Sequence, residues 1–142
     1  MRIVLDANVL ISALISQHGA SARILEAWEN ARFDLVVSAP ILEELARVLH
    51  YPRIQEKYNL PDEYIQGFLG LIVSQAMVVS PCDEINIIAV DPTDNRYLEC
   101  AVEGMAAYII TGDRHLLDIG DYRGIIILPP AGFLTLLDFG EE

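Results

Sequence analysis

Ile3-Val4-Leu5-Asp6-Ala7-Asn8, near the amino terminus, carries the strongest information about how this chain folds. Three consecutive apolar residues are typical of a short strand that is covered on both faces, as in a parallel sheet. The polar residues that follow indicate that the strand gives way to a helix, because Asp is a common helix N-cap. We therefore expect an inner parallel strand with Asp6 at its carboxyl end.

The rest of the chain repeats this alternation of apolar strands and helical patterns. We predict strands at residues 3–5, 33–38, 77–79, 108–111 and 125–128. Helices are predicted at residues 8–15, from Ser21, from Pro40 to about 50, and at 61–76, 93–104, 114–118 and 130–137. Residues 83–92 are predicted to be mostly loop, with room for an extended piece at 85–90. This order predicts an α/β fold, with a parallel sheet and helices on both faces. A chain of 142 residues fits one domain, 1–142.

Cysteine usage and hydropathy indicate where the protein works. The two cysteines, Cys82 and Cys100, are far apart and form no metal-type pair, which fits a reducing cytoplasm. Met1-Arg2 is followed by three apolar residues and then an acid, so we expect no secretory signal. The uncharged stretch 64–82 contains Gln, Ser, Gly and Pro, so it favours a helix running into a strand rather than a membrane span.

The charge balance constrains the partners. Eight arginines and the single Lys57 stand against 21 acids, which gives a net charge of −12. Because nucleic-acid binders usually carry a basic face, three interpretations stay open. The substrate is not a nucleic acid, or binding relies on a metal and a local arginine strip, or a basic partner covers part of the surface.

Four acids lie far apart in the sequence but at equivalent places in the alternation, each after a strand or on the following helix: Asp6, Glu44, Asp94 and Asp113. The carboxyl ends of parallel strands lie along one edge of a sheet, where ligands bind. Carboxylates gathered there could not all stay ionised without a counter-ion. Mg²⁺ or Mn²⁺, which prefer oxygen ligands, would supply it, so the pattern points to metal-assisted phosphodiester chemistry.

Helical geometry selects between neighbouring acids. At about 100° per residue, Glu44 lies at the border of the buried stripe, whereas Glu43 points away from it. Asp6 and Asp113 also fit helix N-caps, and Asp94 in a first helical turn gains from the helix dipole. Asp91 fits an Asx turn before a proline, with an outer role at the site as a further possibility. Capping does not require these acids to meet, so their convergence is the prediction that matters.

An ordered set of short motifs resembles the PIN-domain family of nucleases over nearly the whole chain. The set consists of Leu5-Asp6-Ala7-Asn8-Val9-Leu10, Glu44-Leu45, Asp94 seven residues before Ala101, and Thr111-Gly112-Asp113. The chain is most similar to the branch of toxins from toxin–antitoxin pairs, through Asp91-Pro92-Thr93-Asp94 and the Thr-Gly-Asp-Arg-His-Leu-Leu run at 111–117. It departs from the family at Ala7, where many members carry Thr or Ser.

The resemblance implies a Rossmann-like three-layer α/β/α sandwich with a five-stranded parallel sheet. It also implies an Mg²⁺- or Mn²⁺-dependent endoribonuclease, with RNA as substrate, an antitoxin protein as partner and a homodimer as the assembly. The family's acidic positions, to which it assigns both metal binding and catalysis, are Asp6, Glu44, Asp94 and Asp113. Asn8 and Thr111 accompany them as residues that orient the carboxylates.

Arginines near these acids are candidates for contacts with substrate phosphates. Arg114 adjoins Asp113 and is the first candidate, followed by Arg47 and Arg96. Each of them also fits an ordinary exposed arginine.

Other α/β enzymes with edge acids fit less well. A haloacid-dehalogenase site would need a second Asp two residues after Asp6, where Asn8 stands, and a receiver domain would need a lysine after a late strand. A degenerate PIN-like module that binds without catalysis stays open as the alternative.

Overall fold

Within residues 1–140, the part of the chain that the structure describes, the computed structural model contains six strands and eight α-helices. The strands are β1 Arg2–Leu5, β2 Asp34–Ser38, β3 Met77–Val79, β4 Tyr108–Ile110, β5 Asp121–Tyr122 and β6 Ile125–Leu128. The helices are α1 Ala7–Ile15, α2 Ala20–Glu29, α3 Ala39–Leu49, α4 Pro52–Tyr58, α5 Asp62–Gln75, α6 Asn95–Glu103, α7 Arg114–Ile119 and α8 Pro130–Gly140. None of these helices is both long and apolar enough to cross a bilayer.

The strands form one sheet in the order β3-β2-β1-β4-β6-β5. Every pairing is parallel except that of β5 with β6. The chain builds outward from β1 in both directions, first through β2 and β3 and later through β4 and β6. The sequence order therefore reverses between β1 and β4, and α/β folds bind ligands in the crevice at such a point.

The prediction of five strands is wrong by one, because β5 was missed. This strand is only two residues long and pairs with β6 through a two-residue turn, Arg123-Gly124. Both turn residues have positive φ, 52° and 85°, as type I′ hairpin turns require. Asp121-Tyr122 forms no apolar run, so no strand pattern was visible there.

The sheet separates two apolar cores, because successive side chains of a strand point to opposite faces. Ile3 and Leu5 face a core built with α1, α2, α5 and α8, whereas Val4 faces a second core built with α6 and α7. Helix α3 contributes to both, through Leu45 on the first side and Ile41 on the second. The result is an α/β/α arrangement.

The segment between β3 and α6 is mostly loop, as predicted, and the extended piece at 85–90 does not join the sheet. Residues 85–90 form no strand; instead, side chains of α6 hold the segment in place. Asn95 Oδ1 accepts hydrogen bonds from the amides of Ile87 and Ile88 at 3.1 and 2.9 Å. One turn later, Glu99 Oε2 accepts from the amide of Ile85 at 2.9 Å. These bonds satisfy backbone groups that a ladder would otherwise satisfy.

Candidate functional site

The predicted acids lie around the crevice between β1 and β4. Asp6 directly follows β1, and Asp113 follows β4 and precedes α7. Asp94 lies at the start of α6, the helix that packs against both strands. The carboxylates are close enough to perturb one another, since Asp113 and Asp6 both raise the pKa of Asp94 and Glu44 raises that of Asp6.

Asp6 is buried and held on both oxygens. Its side chain is 3% exposed; Oδ1 accepts from the backbone N–H of Asn8 at 2.9 Å and Oδ2 from the hydroxyl of Thr111 at 2.7 Å. Burial raises the pKa of Asp6 above its ordinary value despite these hydrogen bonds. Asp6 is therefore an N-cap, as one interpretation predicted. The amide that orients it is the backbone of Asn8, whose side chain is exposed.

Asp94 behaves differently from a helix cap. Although it occupies the N-cap position of α6, its side chain accepts no capping hydrogen bond, and its Oδ2 is buried without a hydrogen-bond partner among residues 1–140. Burial, followed by the hydrogen bond and the charge of Asp113, raises the pKa of Asp94 to about 7. A buried acceptor without a donor is uncommon in folded proteins and calls for an explanation.

Asp113 is the complement of Asp94. Burial by itself raises its pKa, but the hydrogen bond to Asp94, the amides of His115 and Leu116 and the charge of His115 outweigh burial and lower it. Its Oδ1 accepts from the His115 amide at 2.7 Å, which confirms the predicted cap of α7. The pKa values of the two carboxyls are therefore driven apart, so Asp94 still binds a proton as the pH approaches 7 whereas Asp113 is ionised.

Glu44 is held by two side chains of α6. Its Oε2 accepts from Arg96 Nη1 at 3.2 Å and from the hydroxyl of Tyr97 at 2.8 Å. The Tyr97 oxygen in turn accepts the backbone N–H of Ala7, the residue after Asp6, at 3.1 Å. The sequence pattern did not identify Tyr97 as a residue of the site. Tyr97 lies three residues after Asp94 and therefore on the same helix face, and this spacing was the signal that could have found it.

The remaining predicted residues have distinct environments. Asp91 Oδ1 accepts from the backbone and the hydroxyl of Thr93 at 3.2 and 2.6 Å, so it forms the expected turn. Arg96 also donates to the carbonyls of Thr93 and Pro40 at 2.8 and 3.3 Å, so its guanidinium is committed within the protein. Arg114, beside Asp113, and Arg47, in the last turn of α3, are exposed.

The donor set suits a hard cation, but it is not preassembled. Among residues 1–140, no three or more His, Cys, Asp or Glu side chains are grouped so that they could hold a metal ion. Glu44 is engaged by Arg96 and Tyr97, which accounts for part of this. Asp94, Asp113 and Asp6 nevertheless offer oxygen donors, and the partnerless Asp94 Oδ2 is the kind of atom that a cation would satisfy. The chemistry of these three side chains, though not their present grouping, suits Mg²⁺ or Mn²⁺.

Comparisons with known proteins agree with this architecture. The chain is 31% identical over 121 residues to an uncharacterized protein of Methanocaldococcus jannaschii. The matched region covers 85% of this chain and 76% of the relative. The fold of this chain also matches that of a chain in the crystal structure of VapBC2 from Rickettsia felis bound to a DNA fragment from their promoter. That match has a TM-score of 0.60 and 14% identity over 91% of this chain and 98% of that chain. The PIN domain family model matches residues 2–115, and the chain therefore belongs to the PIN domain family.

Proposed function

We propose that this protein is an Mg²⁺- or Mn²⁺-dependent endoribonuclease whose centre is formed by Asp6, Asp94 and Asp113, with Glu44 beside it. PIN domains are generally nucleases. The observation that carries the proposal is the state of Asp94 Oδ2, which is a buried acceptor without a donor. The neighbouring carboxyl of Asp113 also raises the pKa of Asp94. A structural cap has no need of such an atom, whereas a cation site does.

The protein contributes positions rather than a nucleophilic side chain. A bound divalent cation would supply Lewis acidity and lower the pKa of a water molecule. Asp94 and Asp113 would hold the cation. The Thr111 hydroxyl and the Asn8 amide hold Asp6 in place, so that it could serve as a further ligand. Because cation ligands must be deprotonated, Asp94, whose pKa is raised to about 7, would have to give up its proton to hold a cation, whereas Asp113 would not.

Glu44 would complete the cation site as a fourth carboxylate, directly or through water, and Arg96 partly neutralises its charge. Arg114 is the best placed of the predicted phosphate contacts, because it follows Asp113 directly and its side chain is exposed. Arg47 is also exposed and stays a candidate. Arg96 already has three acceptors, so we assign it to Glu44 rather than to the substrate.

We further propose that the protein acts as the toxin of a toxin–antitoxin pair and assembles as a homodimer. The fold match to a chain of a VapBC2 complex supports an antitoxin partner. So does the net charge of −12 with a sequence pI of about 4.4, because a basic partner would neutralise a surface that otherwise repels RNA.

The decisive experiment is cleavage of total RNA by the purified protein, with Mn²⁺ or with a chelator. We expect fragments only with Mn²⁺ and none from Asp6→Asn or Asp94→Asn, both of which should fold. Asp118→Asn, an exposed acid on α7, is the matched control and should cleave normally. Cleavage that persists in both site variants would refute the assignment.

A non-catalytic PIN-like module is the second candidate, and one observation favours it. No ready-made cluster of three or more ligands exists within residues 1–140. Melting temperature with and without Mn²⁺ separates the two, because only a protein with a site for the ion is stabilised by it. A module without a site for the ion should show neither stabilisation by Mn²⁺ nor cleavage of RNA, whereas the nuclease should show both.

A further inference from the structure

Tyr97 is a deeply buried side chain with a polar tip beside the centre, and the proposed reaction leaves it without a role. Tyr97 belongs to α6 and is 1% exposed, and its ring lies in the core between α6 and the sheet. Its hydroxyl lies between the start of α1, just after Asp6, and the carboxylate of Glu44 on α3. One oxygen atom therefore joins three helices that carry or adjoin site residues.

The direction of these hydrogen bonds follows from counting protons. A tyrosine hydroxyl has one proton to donate and lone pairs with which to accept. The Ala7 amide can only donate, so it occupies a lone pair of the Tyr97 oxygen at 3.1 Å. The single proton is then free for Glu44 Oε2 at 2.8 Å, and the hydroxyl also lies close enough to Asp6 to act on the pKa of that carboxyl, which it lowers. Glu44 accepts this bond, so the contact orients its side chain.

Arg96 cannot supply the same orientation alone. Its contact with Glu44 is longer, 3.2 Å, and the guanidinium also serves the Pro40 and Thr93 carbonyls. Both Arg96 and Glu44 are partly solvent-accessible, with side chains 20% and 24% exposed. Tyr97, in contrast, is fixed by core packing, and a ligand position is best defined by a partner that cannot itself move.

We propose that Tyr97 is a positioning residue that sets Glu44 against Asp6 by joining the Glu44 carboxylate to the amide of Ala7. This inference rests on the proposed cation site and adds a residue to it. Tyr97 touches neither substrate nor cation and acts through Glu44. The alternative is that Tyr97 merely satisfies a buried amide and packs the core.

The test is Mn²⁺ affinity, measured by titration calorimetry on the wild-type protein, Tyr97→Phe, Glu44→Gln and the double variant. Removing a partner that orients a ligand typically weakens metal binding 10–100-fold, so we expect Tyr97→Phe to bind Mn²⁺ at least about tenfold more weakly. If Tyr97 acts through Glu44, the double variant should bind like Glu44→Gln alone. Tyr108→Phe, which removes a hydroxyl from a ring packed against Phe133, is the control and should bind like the wild type.

The other outcomes overturn the inference in distinguishable ways. A lower melting temperature with unchanged Mn²⁺ affinity would make Tyr97 a packing residue and leave the nuclease proposal intact. If Tyr97→Phe weakened binding equally in the wild-type protein and in the Glu44→Gln variant, Tyr97 would not act through Glu44. Absence of Mn²⁺ binding by the wild type would overturn the proposed function, and the role of Tyr97 with it. Circular dichroism of each variant checks that the fold persists.

Discussion

The hydroxyl of Thr111 lies 2.7 Å from Asp6 Oδ2, and the same hydroxyl oxygen accepts the Asp113 amide at 2.9 Å. Thr111 is fully buried between the ends of β1 and β4. The Thr111 hydroxyl therefore connects the side chain of Asp6, which follows β1, to the backbone of Asp113, which follows the neighbouring strand β4. Two segments more than 100 residues apart in the sequence are brought into register at the site by this contact.

Replacing Thr111 with Val should damage both stability and the site. The change keeps the shape of the side chain but leaves Asp6 Oδ2 and the Asp113 amide each without a partner. Loss of such buried hydrogen bonds typically lowers the free energy of unfolding by about 1–3 kcal/mol. Urea denaturation should show this loss, and RNA cleavage should fall by about 10–100-fold. Thr135→Val, on the exposed face of α8, should change neither; equal effects of both variants would contradict the assignment.

The stability of the metal-free protein should depend on pH through Asp94. Its pKa is about 7 in the folded protein, against an ordinary value of 3.8. The folded state therefore holds a proton that the unfolded chain has released, so the free energy of unfolding decreases as pH rises from about 4 to about 7. Asp113 does not cancel this trend, because its lowered pKa acts below that range.

Asp94→Asn should make this decrease shallower, since the amide cannot lose a proton. In this variant Asp6, whose pKa is also raised, should still make the free energy of unfolding decrease as pH rises, but less steeply. Melting temperatures between about pH 5 and pH 8, with chelator, measure the effect, and Asp118→Asn should follow the wild type. With Mn²⁺ present, the stabilisation should grow with pH, because the ion displaces the proton. Identical slopes for Asp94→Asn and the wild type would contradict the raised pKa.

Particular residues show what the sequence could and could not reveal. The apolar runs of β1, β2, β3, β4 and β6 were long enough to be found, and their parallel order predicted that Asp6 and Asp113 lie at the same edge of the sheet. That β1 and β4 are neighbours was not predicted. The missed strand, β5, depends on a two-residue turn at Arg123-Gly124 rather than on a pattern of its own. Helix α4 was missed because Pro52 indicated only the end of α3.

Local patterns also left the orientation of site residues undetermined. Helix geometry correctly separated the half-buried Glu44 from the exposed Glu43. It could not reveal that Arg96 and Tyr97, more than 50 residues later in the chain, hold that carboxylate. Such contacts arise from the packing of α6 beside α3, and no spacing within either helix encodes them. Tertiary packing thus decided which groups orient the carboxylates.

Arg114→Ala should weaken substrate binding more than chemistry. Arg114 is exposed and adjoins Asp113, so we expect a higher KM with little change in kcat. If Arg114 contacts one phosphate, the slope of log affinity against log salt should fall by about 1. Arg53→Ala, exposed on α4, serves as the control and should leave the slope unchanged. The same slope for wild type and Arg114→Ala would remove Arg114 from the interface.

Gly104 should be intolerant of even one added carbon, for a steric reason. It ends α6 with φ of −82°, so no left-handed conformation requires glycine; Met105, with φ of 51°, takes that conformation instead. A Cβ at Gly104 would collide with Cγ1 of Val36 in β2. Overpacking of this kind typically lowers the free energy of unfolding by about 1–3 kcal/mol, and Gly104→Ala should show it in urea denaturation.

Gly67→Ala is the matched comparison for Gly104→Ala. Gly67 lies on the exposed side of α5, and no atom would lie within 4 Å of its added Cβ. Since alanine favours the helix over glycine, this variant should instead gain about 0.5–1 kcal/mol. Opposite signs for the two substitutions would place the contact between α6 and β2 among the constraints that hold Asp94 at the crevice. A neutral Gly104→Ala would mean that Val36 can move aside and that this helix end is loosely packed.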